Sequence, residues 1–277
     1  MTQTSNHMAG ETDPAGLTGT MLSVEKLSVG VGTGTRYLQI LDDVDLTIRQ
    51  GQTVGLVGES GSGKTTLGKA LVGEMPITAG RIRVGGTDLG ALSRSERLAM
   101  RRRVQLIPQD PYSSLSPRRT IGQTLAEAID PRRADQRKHR NAIRHWLEKV
   151  SLPGEAAERY PHEFSGGQRQ RIAIARALAV EPELIIADEV TSALDLTTQA
   201  EILNLLADLR EDLGLTMLFI SHNLAVVRHV SDQVTVLFRG VVVESGDVDR
   251  IYDVPQHPYT QQLIASVPGG PAFNIDA

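Results

Sequence analysis

The sequence contains no cysteine, which excludes disulfides, cysteine-ligated clusters and cysteine nucleophiles, and is compatible with a reducing compartment. It also lacks any apolar run near the ~20 residues that span a bilayer. Its N-terminus has neither the basic nor the apolar region of a signal peptide. The formal net charge is only −4, so the overall balance does not suggest a nucleic-acid partner. A soluble protein is therefore expected, and any work at a membrane would depend on partners.

The chain is long enough to bury a substantial core. It has 277 residues, of which 40 % are hydrophobic and 22 % charged, an ordinary balance for a globular protein. One domain with an inserted subdomain and two separate domains are both compatible with this length.

Residues 58–66 form a glycine-rich loop, here called the P-loop, between an apolar strand pattern at 53–57 and a helical pattern at 67–72. The pattern G-x-x-x-x-G-K-[ST] is matched by Gly58, Gly63, Lys64 and Thr65. A strand, this glycine loop and a helix in this order predict a triphosphate site. The alternative is a glycine turn that matches the motif by chance, and such a turn would not be expected between a buried strand and a helix.

The residue types in the P-loop suit phosphate chemistry. Glycines let the backbone curl and present N–H groups to phosphate oxygens, and the following helix adds its unpaired N–H groups. Lys64 would reach the β- and γ-phosphates, and the Thr65 hydroxyl would bind Mg²⁺. The predicted nucleotide-binding residues of the loop are Gly58, Ser60, Gly61, Gly63, Lys64, Thr65 and Thr66.

Apolar segments that alternate with helical patterns predict a mainly parallel sheet covered on both faces, preceded by antiparallel strands. Besides 53–57, strands are expected at 22–29, 41–48, 80–86, 104–108, 183–188, 215–221, 234–238 and 241–244. Helices are expected at 94–103, 120–129, 134–150, 166–179, 198–212 and 223–230, with capping boxes at Ser93 and Thr198. Strand patterns vanish over 113–164, which indicates a helical insertion.

A second glycine motif follows this insertion. Ser165, Gly166, Gly167 and Gln168 lie at a predicted helix N-terminus, which is a second anion site in a chain expected to hold one triphosphate. With Phe164 before it, this segment resembles the signature of ATP-binding cassette (ABC) ATPases, in which leucine is usual at the position of Phe164. The resemblance covers about residues 21–268 and implies a head-to-tail dimer, in which Ser165–Gln168 covers the γ-phosphate on the partner's P-loop.

Further residues match the motifs of the same family. Asp188 would hold Mg²⁺, and Glu189 would be the base that activates water, followed by Val190 where proline is more usual. Gln109 would bind Mg²⁺ and sense the γ-phosphate, and His222 would contact the γ-phosphate. Asp195 lies in the loop expected to cross the dimer interface.

Tyr37 is the only aromatic residue in the region that precedes the second strand. The resemblance makes it the candidate for stacking on adenine, and an exposed loop position is the alternative.

The implied fold is an α/β ABC-type P-loop NTPase with a mixed, mainly parallel core sheet, an N-terminal antiparallel β-subdomain and an inserted α-helical subdomain. The ABC ATPase domain is expected at 21–268, between a disordered tail at 1–20 and a C-terminal tail at 269–277. Within it, the core is expected at 21–112 and 165–245, the helical subdomain at 113–164 and a C-terminal extension at 246–268.

Two stretches of the sequence indicate a subfamily within the ABC ATPases. Residues 109–118 and 257–264, the second of which begins His-Pro-Tyr-Thr, are similar to those of oligopeptide, dipeptide and nickel importers. This subfamily implies ATP and Mg²⁺ as cofactors, a second ABC ATPase subunit, two transmembrane permeases and an extracytoplasmic substrate-binding protein. The chain would then lie on the cytoplasmic face of the cell membrane.

Other functions remain open at this point. An exporter, another importer class, a soluble ABC ATPase acting on DNA or ribosomes, and a non-hydrolysing regulatory module are the alternatives. The soluble ATPases usually carry long coiled coils or two cassettes, and a non-hydrolysing module would most simply have lost Lys64, Glu189 or His222. The transported substrate, and whether the two ATPases are identical, cannot be derived from this chain.

Overall fold

Two β-sheets form the framework of the protein in the computed structural model, which describes residues 19–32 and 34–266. The predicted tails at 1–20 and 269–277 lie almost wholly outside the described residues. The strands are β1 (Thr20–Val31), β2 (Leu38–Arg49), β3 (Thr53–Val57), β4 (Ala79–Val84), β5 (Thr87–Asp88), β6 (Val104–Ile107), β7 (Leu184–Asp188), β8 (Thr216–Ile220), β9 (Gln233–Phe238) and β10 (Val241–Asp247).

The helices lie between and after these strands. The α-helices are α1 (Lys64–Leu71), α2 (Arg94–Arg103), α3 (Pro111–Ser114), α4 (Ile121–Ile129), α5 (Arg140–Lys149), α6 (Gly166–Leu178), α7 (Leu196–Leu213), α8 (Leu224–Val230), α9 (Val248–Asp253) and α10 (Pro258–Ala265). Short 3₁₀ turns occupy Gly34–Arg36, Leu89–Ala91, Gly154–Glu158 and Pro161–Glu163. No helix in the described part of the chain is long and apolar enough to cross a bilayer.

The first sheet is antiparallel and has the order β2-β1-β4-β5. The alternation of apolar residues breaks in the middle of β1 because the strand bulges there: its register with β2 shifts between Val24 and Leu27. Lys26 adopts a positive φ of 49° at this bulge, and its ammonium lies 2.8 Å from the carboxylate of Asp45. The predicted antiparallel opening of the chain is therefore confirmed.

The second sheet has the order β10-β9-β3-β8-β7-β6 and is parallel except for β10. Every residue of β3, β7 and β8 is buried, because helices cover both faces of the sheet. Parallel strands end at the same edge of a sheet, so the residues after β3, β6, β7 and β8 meet at one edge. This edge positions the candidate site.

Two sequence predictions about helices are wrong. The helix expected from Ala134 begins at Arg140, because Ala134 has a φ of 48° and the Asp135 carboxylate accepts N–H groups from Arg137 and Lys138 in a local turn.

The capping box predicted at Thr198 is also absent. Asp195 caps α7 instead, and its carboxylate accepts the backbone N–H of Thr198 at 3.0 Å. The helix consequently begins at Leu196, earlier than predicted. The box at Ser93 is confirmed, with Glu96 as its reciprocal partner.

The helical segment between β6 and β7 should depend on buried packing by α5. Leu147 is completely buried there, whereas Leu98 on α2 is 67 % exposed. We expect Leu147→Ala to lower the free energy of unfolding by about 2–5 kcal/mol, because it leaves a cavity. Leu98→Ala is the matched control and should change it by no more than about 0.5 kcal/mol. Urea denaturation measures both, and equal effects would contradict this packing.

Candidate functional site

The P-loop connects β3 to α1 in a backbone conformation that requires glycine. Gly58 and Gly63 have φ values of 153° and 109°. A Cβ on Gly58 would lie 2.1 Å from the carbonyl oxygen of Leu237, and one on Gly63 would lie 2.6 Å from Leu41 Cδ2. Gly63 is also the N-cap of α1 and provides no side-chain cap, so the first N–H groups of the helix remain available to an anion.

Lys64 is buried inside this loop, with only 5 % of its surface exposed. Its ammonium donates hydrogen bonds to the carbonyl oxygens of Gly58 at 2.7 Å and Glu59 at 2.9 Å. Burial lowers the pKa of Lys64, while the carboxylates of Glu189 and Asp188 act in the opposite direction and favour its charge. The loop thus concentrates positive charge where a phosphate would lie.

Asp188 ends β7, and β8 separates that strand from β3. The Thr65 hydroxyl nevertheless reaches across and donates to Asp188 Oδ1 at 3.3 Å. Asp188 is 4 % exposed, and burial raises the pKa of its carboxyl, with the Thr65 hydrogen bond and the nearby Lys64 ammonium opposing that rise. Hydroxyl and carboxylate oxygens are the hard donors that Mg²⁺ prefers, so this pair suits the predicted metal.

Glu189 lies at the centre of a three-residue cluster. Its Oε2 accepts a hydrogen bond from Gln109 Nε2 at 3.0 Å and lies 3.3 Å from His222 Nδ1. These residues follow β7, β6 and β8, which are neighbours in the sheet. Gln109 also donates to Ser192 Oγ at 3.2 Å, which leaves the amide oxygen of Gln109 as an acceptor.

The backbone of Glu189 is strained, with a φ of 48°. Its N–H donates to Ile220 O at 2.9 Å, which fixes this conformation against β8. Val190, which stands where proline was expected, is 1 % exposed and packs into the core. The side chain of Glu189 is 15 % exposed, so its carboxylate is shielded but still reachable by water.

The second glycine motif is a capped helix N-terminus. The Ser165 hydroxyl accepts the N–H of Gln168 at 3.3 Å, and the Gln168 amide oxygen accepts the N–H of Ser165 at 3.0 Å. A Cβ on Gly167 would lie 2.4 Å from Thr198 Cγ2, so glycine is needed for the approach of α6 to α7. Phe164 is buried, and its ring lies 4.3 Å from the guanidinium carbon of Arg159.

Ser165 and Gly166 are exposed. No hydrogen bond or ion pair between described residues joins Ser165–Gln168 to the P-loop of the same chain. Asp195 serves α7 locally, and the N–H of Thr198 holds the pKa of Asp195 below its usual range. The structure therefore does not bring this group of predicted site residues into the P-loop cluster.

Tyr37 is 46 % exposed and lies beside the backbone of Gly30, where a Cβ would come within 2.3 Å of the phenol oxygen. It precedes β2, whose Ile40 carbonyl oxygen would lie 3.3 Å from a Cβ on Gly63. The strand after Tyr37 thus adjoins the P-loop. The role of Tyr37 in stacking on adenine stays a prediction.

Sequence reasoning did not connect Tyr259 with the P-loop. The backbone N–H of Glu59 donates to the phenol oxygen of Tyr259 at 2.9 Å. Tyr259 drew attention only as part of the His-Pro-Tyr-Thr stretch, and no local pattern connects it with residue 59.

A family model described as ABC transporter matches residues 41–192. A protein of Brucella ovis, provisionally named a peptide import ATP-binding protein, is 50 % identical over 249 residues, covering 90 % of this chain and 78 % of that protein. A Brucella abortus protein with the same kind of provisional name is 49 % identical over 237 residues, covering 85 % of this chain and 71 % of its own.

Solved structures agree with these matches. The protein cbiO1 from Clostridium perfringens, part of the ABC transporter complex cbiONQ, has a TM-score of 0.75 and 25 % identity, covering 85 % of this chain and 92 % of its own. The ATP-binding cassette MJ0796, solved as a dimer in a post-hydrolysis state bound to ADP and Pi, has a TM-score of 0.74 and 29 % identity. That match covers 82 % of this chain and 99 % of MJ0796.

The raised pKa of Asp188 predicts how stability depends on pH. Its unfolded-state pKa is near 3.8 and its folded-state pKa is higher, so the unfolded chain releases this proton first and folding is disfavoured as pH rises through that window. We therefore expect the melting temperature of Asp188→Asn, measured relative to that of wild type, to increase as pH rises above about 4. Asp45→Asn is the control with the opposite sign, because Lys26 lowers the pKa of Asp45. Parallel pH profiles for both variants would contradict this.

Proposed function

The chain belongs to the ABC transporter family, and we propose that it is the ATP-hydrolysing subunit of a peptide importer. The cluster of Gln109, Glu189 and His222 carries the hydrolytic part of the proposal, because three neighbouring strands converge on one carboxylate beside the P-loop. The import part is supported by the names of relatives that are about half identical to this chain.

In the proposed mechanism, the P-loop binds the triphosphate of ATP. Lys64 exchanges its two loop carbonyls for oxygens of the β- and γ-phosphates, and the N–H groups of the loop and of α1 surround the remaining phosphate charge. Thr65, Asp188 and Gln109 offer the hydroxyl, carboxylate and amide oxygens that would hold Mg²⁺. When bound, the metal would neutralise charge on the β- and γ-phosphates.

Glu189 is the proposed general base. Its carboxylate accepts a proton from water as the water oxygen attacks the γ-phosphorus, and ADP leaves with the bridging oxygen. Gln109 and His222 contact the same carboxylate oxygen and orient it. The Glu189 side chain lies in this cluster while its backbone is held at a positive φ by the hydrogen bond from its N–H to Ile220 O.

A second subunit would complete each nucleotide site. Ser165 and Gly166 present an exposed helix N-terminus that the chain does not bring to its own P-loop. In a head-to-tail dimer, this end would face the γ-phosphate on the partner, with Asp195 near the interface. The dimer that MJ0796, a cassette of similar fold, forms in a post-hydrolysis state bound to ADP and Pi supports the proposal of a second subunit.

We expect Glu189→Gln to lower the turnover number by about 10²–10⁴-fold, because the amide cannot accept the proton. ATP should still bind and should convert the variant from monomer to dimer, which light scattering after size-exclusion chromatography measures. Glu181→Gln is the matched control, since Glu181 is exposed and has a similar φ of 53°. Undiminished phosphate release by the Glu189 variant would remove that residue from its role.

The transport proposal includes two permeases and an extracytoplasmic binding protein, with this chain on the cytoplasmic face of the membrane. We expect cells without this gene to lose uptake of labelled oligopeptides, dipeptides or nickel. The gene encoding Glu181→Gln should restore uptake, and the one encoding Glu189→Gln should not. Unchanged uptake of all three, with loss of export of another compound, would show a different transporter class.

A further inference from the structure

Three residues outside the 41–192 region matched by the family model contact the P-loop: Leu237, Gly240 and Tyr259, here called the C-terminal wall. Gly240, in the turn between β9 and β10, donates its N–H to Ser62 O at 2.9 Å. The carbonyl of Leu237, on β9, lies so close to Gly58 that no Cβ would fit between them. The middle and the start of the loop are therefore both fixed by the C-terminal part of the chain.

Tyr259 is the residue of the C-terminal wall that lies farthest from the P-loop in sequence. It is 7 % exposed, and its ring centroid lies 4.0 Å from that of Phe238 at the end of β9. Its phenol oxygen accepts the backbone N–H of Glu59 at 2.9 Å, while the carbonyl of the same Glu59 accepts a hydrogen bond from Lys64. Both polar backbone groups of Glu59 are thus occupied, one by Tyr259 and the other by the P-loop lysine.

The position of Tyr259 is itself fixed by neighbouring hydrogen bonds. The Glu244 carboxylate on β10 accepts the backbone N–H groups of Gln256 at 2.8 Å and His257 at 3.0 Å. His257 Nδ1 then caps α10 by accepting the N–H of Tyr259 at 3.2 Å. The carboxylate on β10 therefore holds the residues before α10, and α10 presents the phenol to the P-loop.

We propose that Tyr259 is a positioning residue for the nucleotide site: its hydroxyl holds the Glu59 peptide in the orientation that lets Lys64 and the loop N–H groups face a triphosphate. This inference rests on the proposed function of the P-loop. If the Gly58–Glu59 peptide flipped, its N–H would turn towards the Lys64 ammonium, and the Gly58 carbonyl would no longer accept a hydrogen bond from that ammonium. Burial raises the pKa of Tyr259, so the phenol stays neutral and its oxygen accepts this bond at physiological pH.

The test is ATP affinity in the Glu189→Gln background, which prevents turnover during calorimetry. Tyr259→Phe keeps the ring against Phe238 and removes only the hydroxyl, so the dissociation constant for ATP should rise about 3- to 10-fold, the size of one net hydrogen bond. Tyr252→Phe is the matched control in the same C-terminal extension. The Tyr252 hydroxyl donates to Leu224 O at 2.5 Å on α8 and does not contact the P-loop. The Tyr252→Phe substitution should therefore leave the ATP affinity within about 2-fold of that of the parent.

A merely structural role would behave differently. In that case both tyrosine variants would lower the melting temperature of the nucleotide-free protein together, without a selective loss of ATP affinity, and the proposal would be wrong. Unchanged affinity in Tyr259→Phe would also overturn it.

Hydrogen exchange of the Glu59 amide in wild type keeps the proposal falsifiable if Tyr259→Phe fails to fold. Slow exchange is expected there, and exchange at the rate of a free loop amide would contradict the bond. Lys64→Ala separates the two proposals. If the parent and this variant show the same negligible affinity for ATP, both the nucleotide site and this inference fail. If only Lys64→Ala loses affinity and Tyr259→Phe does not, this inference alone fails.

Discussion

The buried ammonium of Lys64 is the interaction on which the site depends. A charged group with 5 % exposure is costly unless hydrogen bonds and opposite charges compensate it. Two P-loop carbonyls accept its protons, and the carboxylates of Asp188 and Glu189 favour its charge from the neighbouring edge of the sheet. The glycine backbone that supplies those carbonyls and the acids that follow β7 are therefore parts of one electrostatic unit.

Sheet order explains why this unit can form from distant residues. Parallel β6, β7 and β8 are adjacent and end at one edge, so Gln109, Glu189 and His222 meet although the helical segment separates the first from the others. Gln109 belongs to the start of that segment. Arg102 on α2 donates to the carbonyls of Ala128 and Ile129 at the end of α4, and Arg176 on α6 donates to Ser114 O beside the Gln109 loop. Glu189 is thus hydrogen-bonded to the residue that begins this segment, and arginines on α2 and α6 fix the segment itself to the core.

Local patterns predicted the parts of the site that have local causes. The apolar run at Thr53–Val57 and the glycine spacing after it predicted the P-loop, whereas Gln109, Glu189 and His222 were identified through the family resemblance. Predictions were wrong where two local signals competed. Asp195 and Thr198 are both good N-caps, and the carboxylate won because it accepts both the N–H and the hydroxyl of Thr198. At Ala134, the turn held by Asp135 outweighed the helical spacing that begins properly only at Arg140.

The contact between Glu59 and Tyr259 could not be predicted in this way, because it joins residues separated by 200 positions and depends on how β9 and β10 lead the chain back to the sheet edge. A glycine loop has little intrinsic preference for one conformation, since each glycine has many accessible backbone angles. Its order therefore depends on contacts outside the loop as well as on the Lys64 hydrogen bonds within it. Leu237, Gly240 and Tyr259 supply those contacts, so residues remote in sequence from the phosphate motif determine the shape in which that motif meets its ligand.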